Sequence, residues 1–194
     1  MVRGLRGGAD KSVKVPFFNL IVTSPQHREL EAIEEVERIC KEFLGVEAVA
    51  WRSGVKGVIL VRAGTDPDEL IEGLREVIRR CPWEIRYMKR VIPVDKVVRT
   101  SVEEIEEAAK ELVRLIHKGE RFRVTVEKRH TRLSRREVID RVARHVDAEV
   151  DLSNPDKILL IEIIGKYAGI SILSRDRKVI NVDKEVLSSS SDLS

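Results

Sequence analysis

Seven lysines and arginines lie within the nineteen residues of KRHTRLSRREVIDRVARHV, positions 128–146. Lys128, Arg129, His130 and Arg132 come first, in what reads as a connection between a strand and a helix. Ser134 then stands three residues before Glu137, a capping-box spacing that fixes the helix start. Arg135 and Arg136 therefore fall in the first helical turn, where the macrodipole disfavours cations by about a few tenths of a kcal/mol. An anion held by the first-turn amides would offset that cost. The chemistry such residues suit is phosphate recognition, and nucleic acid is the expected source of the phosphates. Arg141 and Arg144 extend the basic surface, with Glu137 and Asp140 spaced to pair with them. The plainer alternative is a solvated helix face behind a buried stripe of Val138, Ile139, Val142 and Val146.

Catalytic chemistry finds little to work with. The chain has no phosphate loop, no GxGxxG, no HExxH, no GxSxG and no Cys/His zinc spacing. His27, His117, His130 and His145 are scattered, and no metal site is expected. Cys40 and Cys81 lack CxxC spacing and read as unpaired thiols of a reducing cytoplasm. The acids of segments 27–47 and 101–120 read as solvated faces with i,i+4 partners. Ser53-Gly54 and Gly57 suggest a phosphate cradle only weakly, because a tight turn requires them anyway. The expectation is a non-catalytic protein without a cofactor or small-molecule substrate of its own.

Over 194 residues, 42% are apolar but only 4% aromatic, so the core must be aliphatic. No run approaches eighteen apolar residues, and MVRGLRGGADK lacks the apolar centre of a signal peptide, so neither membrane nor export is expected. Charged residues make up 36%, with one Gln and three Asn, a habit of thermophile proteins. The net charge of +3 hides segregation. Residues 27–47 hold seven acids against three Lys/Arg, whereas residues 121–147 hold nine Lys/Arg against four acids.

Periodicity supplies the elements that would position the cations. A flexible arm over 1–12 precedes an apolar strand, VKVPFFNLIVT. A helix follows, with Ser24-Pro25 at its front, an apolar face of Leu30, Ile33, Val36, Ile39, Cys40, Phe43 and Leu44, and Gly45 as its stop. VEAVAWRS and GVILVRA form a hairpin through Ser53–Gly57. The next helix opens on Asp66, Pro67 and Glu69, buries Leu70, Ile71, Leu74, Val77 and Ile78, and ends at Pro82. WEIRYMKRVIPV is a last strand-like run. This order, βαββαβ over 13–92, is the ferredoxin-like arrangement of an α+β protein. A second α/β unit, 93–174, begins with a helix capped by Ser101 and Glu104 and ended by Gly119. An alternating strand, RFRVTVEKR, places Phe122, Val124 and Val126 on one face and Arg121, Arg123 and Thr125 on the other. The capped helix comes next, then ILLIEII and YAGISIL joined at Gly165-Lys166. Residues 175–194 read as an extension, with room for a short element before a Ser-rich tail.

The second unit resembles the THUMP domain, an RNA-binding module of tRNA-modifying proteins. The likeness lies in RFRVTVEKRHTRLSRREVIDRVARHV and in VDLSNPDKILLIEIIGKYAGISIL, which carry the pattern at Val150, Asp151, Leu152, Asn154, Pro155, Asp156, Glu162, Ile163, Gly169 and Ser171. The resemblance implies that the ferredoxin-like and THUMP units together grip a tRNA acceptor stem and its 3′ end. Neither the SGGxDS loop of the thiouridine synthetases nor a DPPY or NPPY methyltransferase motif is found, and no catalytic domain is expected after Ser174. With YMKRVIPVDKVVRTSVEEI ahead of the domain, the chain is similar to the adaptor family that partners the tRNA cytidine N4-acetyltransferase. Acetyl-CoA and ATP would then belong to that partner. A subunit of another tRNA-modifying enzyme, for thiolation or methylation, and a protein-binding scaffold on the acidic helices are the alternatives.

The expected RNA contacts are Lys128, Arg129, Arg132, Arg135 and Arg136, with Arg141 and Arg144 behind them. Lys89 and Arg90 are candidates for a groove between the two units, and Lys166, in the last hairpin, is a weaker one. Asp151, Asn154, Pro155 and Asp156 read as a structural turn. So few aromatics leave shape and phosphate recognition dominant.

Overall fold

Aliphatic alternation builds two five-stranded sheets whose inner faces pack on each other, with helices covering the outer faces. The computed structural model describes residues 15–191, and their side chains through residue 188. The expected arm over 1–12 and the last residues of the Ser-rich tail lie outside the described residues.

The first sheet contains β1 (Leu20–Thr23), β2 (Ala48–Arg52), β3 (Val58–Ala63), β4 (Arg90–Pro93) and β10 (Ile180–Asn181), in the order β10-β4-β1-β3-β2, with every pairing antiparallel. Helices α1 (Glu29–Phe43) and α2 (Pro67–Arg80) cover one face, so residues 15–93 form the expected ferredoxin-like βαββαβ unit. The second sheet runs β5-β9-β8-β6-β7, from β5 (Lys96–Arg99), β6 (Arg121–Arg129), β7 (Glu149–Val150), β8 (Lys157–Ile164) and β9 (Tyr167–Leu173). Its β6 and β8 are parallel, joined through α4 (Arg135–Ala143), which lies with α3 (Val102–Leu112) on the outer face. A third core joins the sheets, where Ile21, Leu60 and Ile92 meet Leu160, Ile164 and Leu173. Gly169 lies against that contact. A Cβ there would stand 3.0 Å from the Ile21 tip and 3.2 Å from both Val94 methyls.

Several expected elements are shorter, each for a tertiary reason. VKVPFFNLIVT is a strand only from Leu20, leaving Phe17 exposed and Phe18 buried between the sheets. The first helix starts at Glu29 rather than at Ser24-Pro25. The Ser24 amide is taken by the Gly57 carbonyl at 3.0 Å, and a turn closes from the Arg28 amide to the Pro25 carbonyl. The Glu29 carboxylate then accepts from the Gly57 and His27 amides at 2.7 and 3.3 Å. Of the expected apolar face of α1, Leu30 and Phe43 are exposed; Ala32, Val36, Ile39 and Cys40 make the contact. WEIRYMKRVIPV is a strand only from Arg90. Before it the chain makes a 3-10 turn at Pro82–Glu84 and wraps the Glu35 carboxylate, which accepts from the amides of Arg86, Tyr87 and Met88 at 2.7 to 3.0 Å.

The acids of α1 are therefore not the wholly solvated face that their periodicity suggested. Glu29 and Glu35 are buried and satisfy loop amides, and Glu37 accepts from Ala50 N at 2.7 Å on the outer edge strand, β2. In α2, Asp66 caps the Asp68 amide at 2.8 Å, while Glu69 bonds Thr65 instead of reaching back to the cap. Ser101 caps α3 through the Glu104 amide at 3.1 Å, and the Glu104 carboxylate takes the Arg99 amide. That helix ends at Leu112 and a 3-10 turn, well before Gly119, which sits at φ +96 in the turn into β6.

Candidate nucleic-acid interface

Ser134 starts α4 as the spacing required, its Oγ accepting from the Glu137 amide at 3.3 Å. Val138 and Val142 bury against the second sheet with Ile139 and Val146 beside them, which turns the arginines outward. Ahead of the cap, His130 at φ +55 turns the chain off β6, and Lys128 closes the loop by donating to the Leu133 carbonyl at 2.7 Å.

The structure brings Lys128, Arg132, Arg135 and Arg136 to one end of this helix and sheet. Arg132 is exposed with no acidic partner among the described residues. Among the described residues Arg135 has only Glu127 at 3.6 Å as an acidic partner, and Arg136, with its side chain 91% exposed, has Asp140 at 3.7 Å. These pairs are long and solvated, so they hold the guanidinium groups weakly. Arg136 shares a shallow hollow with Arg141 and Arg144. Arg141 is committed elsewhere, to Glu106 of α3 at 2.9 Å, where His145 also bonds, and the expected pairing of Arg141 with Glu137 or Asp140 does not form. Arg144 and Lys166 are exposed and without an acidic partner among the described residues.

Arg129 points the other way, to the face between the sheets. There it meets Glu162, a carboxylate 1% exposed, at 2.7 Å, with Arg90 at 4.0 Å on the far side. Glu162 Oε1 is buried without a hydrogen-bond partner among the described residues. Burial pushes this carboxyl above the ordinary range, against the pull of Arg129 and Arg90. Lys89, the neighbour of Arg90 in sequence, instead pairs with Asp183 at 2.9 Å.

Arg90 also lines an open groove of about 480 Å³ between the two sheets. Its other cations are Arg123, Arg175 and Lys178; its floor is Ile158, Leu160 and Leu173, and Ser153-Asn154-Pro155 closes one end. The VDLSNPD turn that shapes this end satisfies its own backbone and that of β6, the structural part expected of it. Asp151 accepts from the amides of Ser153 and Asn154 at 2.9 Å each, which hold its carboxyl below the ordinary range. Asp156 accepts from the Arg121 amide at 3.0 Å and from its guanidinium. The alternation of β6 had put Arg123 on its polar face, but nothing local says that this face looks at another sheet. Arg175 and Lys178 carry no motif, and only the return of the chain to β4 brings them here. From Arg123 to Arg129 is six residues of strand, roughly 20 Å, so groove and helix start lie within reach of one short nucleic-acid segment.

The two α/β units thus share an apolar core, with cations along one end of the second sheet and in the cleft between the sheets. Residues 99–173 match the family model described as THUMP domain, and the chain carries that domain. An uncharacterized protein of Schizosaccharomyces pombe (strain 972) is 29% identical over 168 residues, covering 78% of this chain and 58% of its own length. Among solved structures, PH1313 from Pyrococcus horikoshii Ot3 superposes with a TM-score of 0.56 at 21% identity, over 81% of this chain and 55% of that one. TrmN from Thermus thermophilus gives 0.54 at 16% identity, over 80% of this chain and 45% of that one. At these identities the two structures share the fold with this chain. The chain spans about half the length of the proteins that it matches.

Proposed function

We propose that this protein binds tRNA through the start of α4 and the inter-sheet groove, and presents it to a separate modifying enzyme. The observation that carries the reading is the set of weakly held cations, Arg132, Arg135 and Arg136, at the positive end of a capped helix. The THUMP domain around them supports RNA as the ligand. Among the described residues no group of three or more His, Cys, Asp or Glu gathers to hold a metal, and no helix is long and apolar enough to cross a membrane. The finer reading, an adaptor for a tRNA cytidine N4-acetyltransferase that brings its own acetyl-CoA and ATP, rests on the resemblance over 87–105.

The test is a gel shift with tRNA and with an acceptor-stem minihelix across salt. Arg135→Glu with Arg136→Glu is expected to weaken binding at least tenfold and to lower the salt slope by about 0.7–0.9 per lost contact. Unchanged binding would remove the α4 assignment. The adaptor reading expects N4-acetylcytidine to fall in tRNA from cells lacking the protein, and no acetylation when the protein alone receives tRNA, acetyl-CoA and ATP. Loss of a methylated or thiolated nucleotide instead would assign it to a different partner enzyme.

A further inference from the structure

The THUMP match ends at residue 173, yet the chain then turns back to the first sheet. Residues 174–191 form a strap: β10 adds to the edge of β4, and α5 (Val182–Ser191) packs beside α2. Arg177 fixes it near its start. The Arg177 guanidinium pairs with both oxygens of Asp95 at 2.6 and 2.7 Å, donates to the Ile172 carbonyl at 2.7 Å and reaches Asp68 of α2. Asp95 lies in the link between β4 and β5 and also accepts from the Ile172 amide at 2.9 Å. Arg75 holds the Lys178 carbonyl at 2.9 Å. Three parts of the chain thus meet at Arg177, and its neighbours on the strap form one wall of the groove.

We propose that the strap is a working part of the nucleic-acid site. In this proposal Arg175 and Lys178 contact the phosphodiester of an unpaired RNA segment, and Arg177 is the positioning residue that sets their place. The inference rests on the RNA-binding reading above and extends it to residues outside the THUMP match. The groove has the volume of a small-ligand pocket and suits about one nucleotide, not a duplex. Its charge is one-sided. Against Arg90, Arg123, Arg175 and Lys178 the lining holds one acid among the described residues, Asp156, whose oxygens are shared between Arg121 and a solvated contact to Arg175 at 3.4 Å. Arg90 lies 4.0 Å from Glu162 behind the groove. Arg123 Nε is buried without an acceptor, and the Lys178 ammonium has no partner among the described residues. Leu160 and Leu173 give a base or ribose an apolar floor. With no aromatic ring among the described residues lining the groove, the phosphate contacts lead.

The experiment compares the full chain on an acceptor-stem minihelix with its unpaired end and on the same minihelix trimmed blunt. The parent protein is expected to prefer the unpaired end about tenfold. Arg175→Glu with Lys178→Glu should erase that preference and lower the salt slope on the unpaired form by about 1.4, two contacts at roughly 0.7 each for single strands. Arg177→Gln should lose the preference while binding the blunt stem as before, and Arg177→Lys should recover part of it. If Arg177→Gln fails to fold, the exposed pair Arg175 and Lys178 still decides. A parent chain that binds both stems equally, or a strap double variant that keeps the preference while the α4 variant loses affinity for both stems, overturns the strap proposal and leaves the RNA reading standing. A parent chain that binds neither stem overturns both.

Discussion

The Arg129→Met chain is expected to lose about 3 kcal/mol of stability at neutral pH, the lower end for breaking a buried ion pair because Arg129 keeps some contact with solvent. What is left behind drives the loss. Glu162 is 1% exposed, one oxygen already lacks a partner, and Arg90 at 4.0 Å is too far to replace the lost hydrogen bond. Burial has already raised this carboxyl's pKa above its unfolded value, so the folded state binds the proton more readily than the unfolded chain. Its contribution to stability is therefore greatest in acid and falls as the pH rises through the folded pKa. Removing Arg129 raises that pKa further. The penalty should be smaller at pH 4.5, about the unperturbed carboxyl pKa, than at pH 7.5. Denaturant titrations at the two pH values check this, and Arg129→Met with Glu162→Leu should recover most of the loss. A penalty that does not change with pH would mean that Glu162 is not the group left unpaired.

Gly169→Val is the second large effect, expected at about 3 kcal/mol, with Gly169→Ala nearer 1 kcal/mol. The Ala methyl would already press on Ile21 and Val94. Valine adds two more methyl groups where the sheets meet, and both neighbours belong to or flank strands of the first sheet. Thermal unfolding measures the loss. Trimming Ile21 to Val should make the Gly169→Val penalty smaller than it is in the parent background, the signature of two groups in contact. Equal penalties in both backgrounds would place the strain elsewhere.

Gly169 also shows what was legible in the sequence. It belongs to the pattern that marks the THUMP resemblance, but the pattern gives no reason for it. The reason is a side chain 148 positions away, and no local rule reports such a contact. Local rules served where the structure is local. The Ser134 cap, the buried face of α2 and the Gly165-Lys166 hairpin follow from neighbouring residues alone. They failed where one side chain reaches across the fold. Glu35 collects three amides of the segment before β4, and so a run that reads as a strand is wrapped around a carboxylate.

The candidate site divides in the same way. The basic cluster at 128–136 was legible because a cap, a dipole and a charge run coincide within nine residues. The groove was not, apart from Arg90. Arg123 and Lys178 come from elements 55 positions apart, and only the packing of one sheet on the other makes them neighbours. Arg129 and Arg141 were indistinguishable from their neighbours by sequence, yet the fold commits both to carboxylates.

The most direct test of the central claim is to crosslink the full chain to tRNA with ultraviolet light and map the attached peptides by mass spectrometry. Crosslinks are expected in the 128–136 segment and in the groove, at 123–125 and 175–178. Crosslinks confined to the outer faces of α1 and α2, or a chain that takes up no tRNA, would contradict that claim.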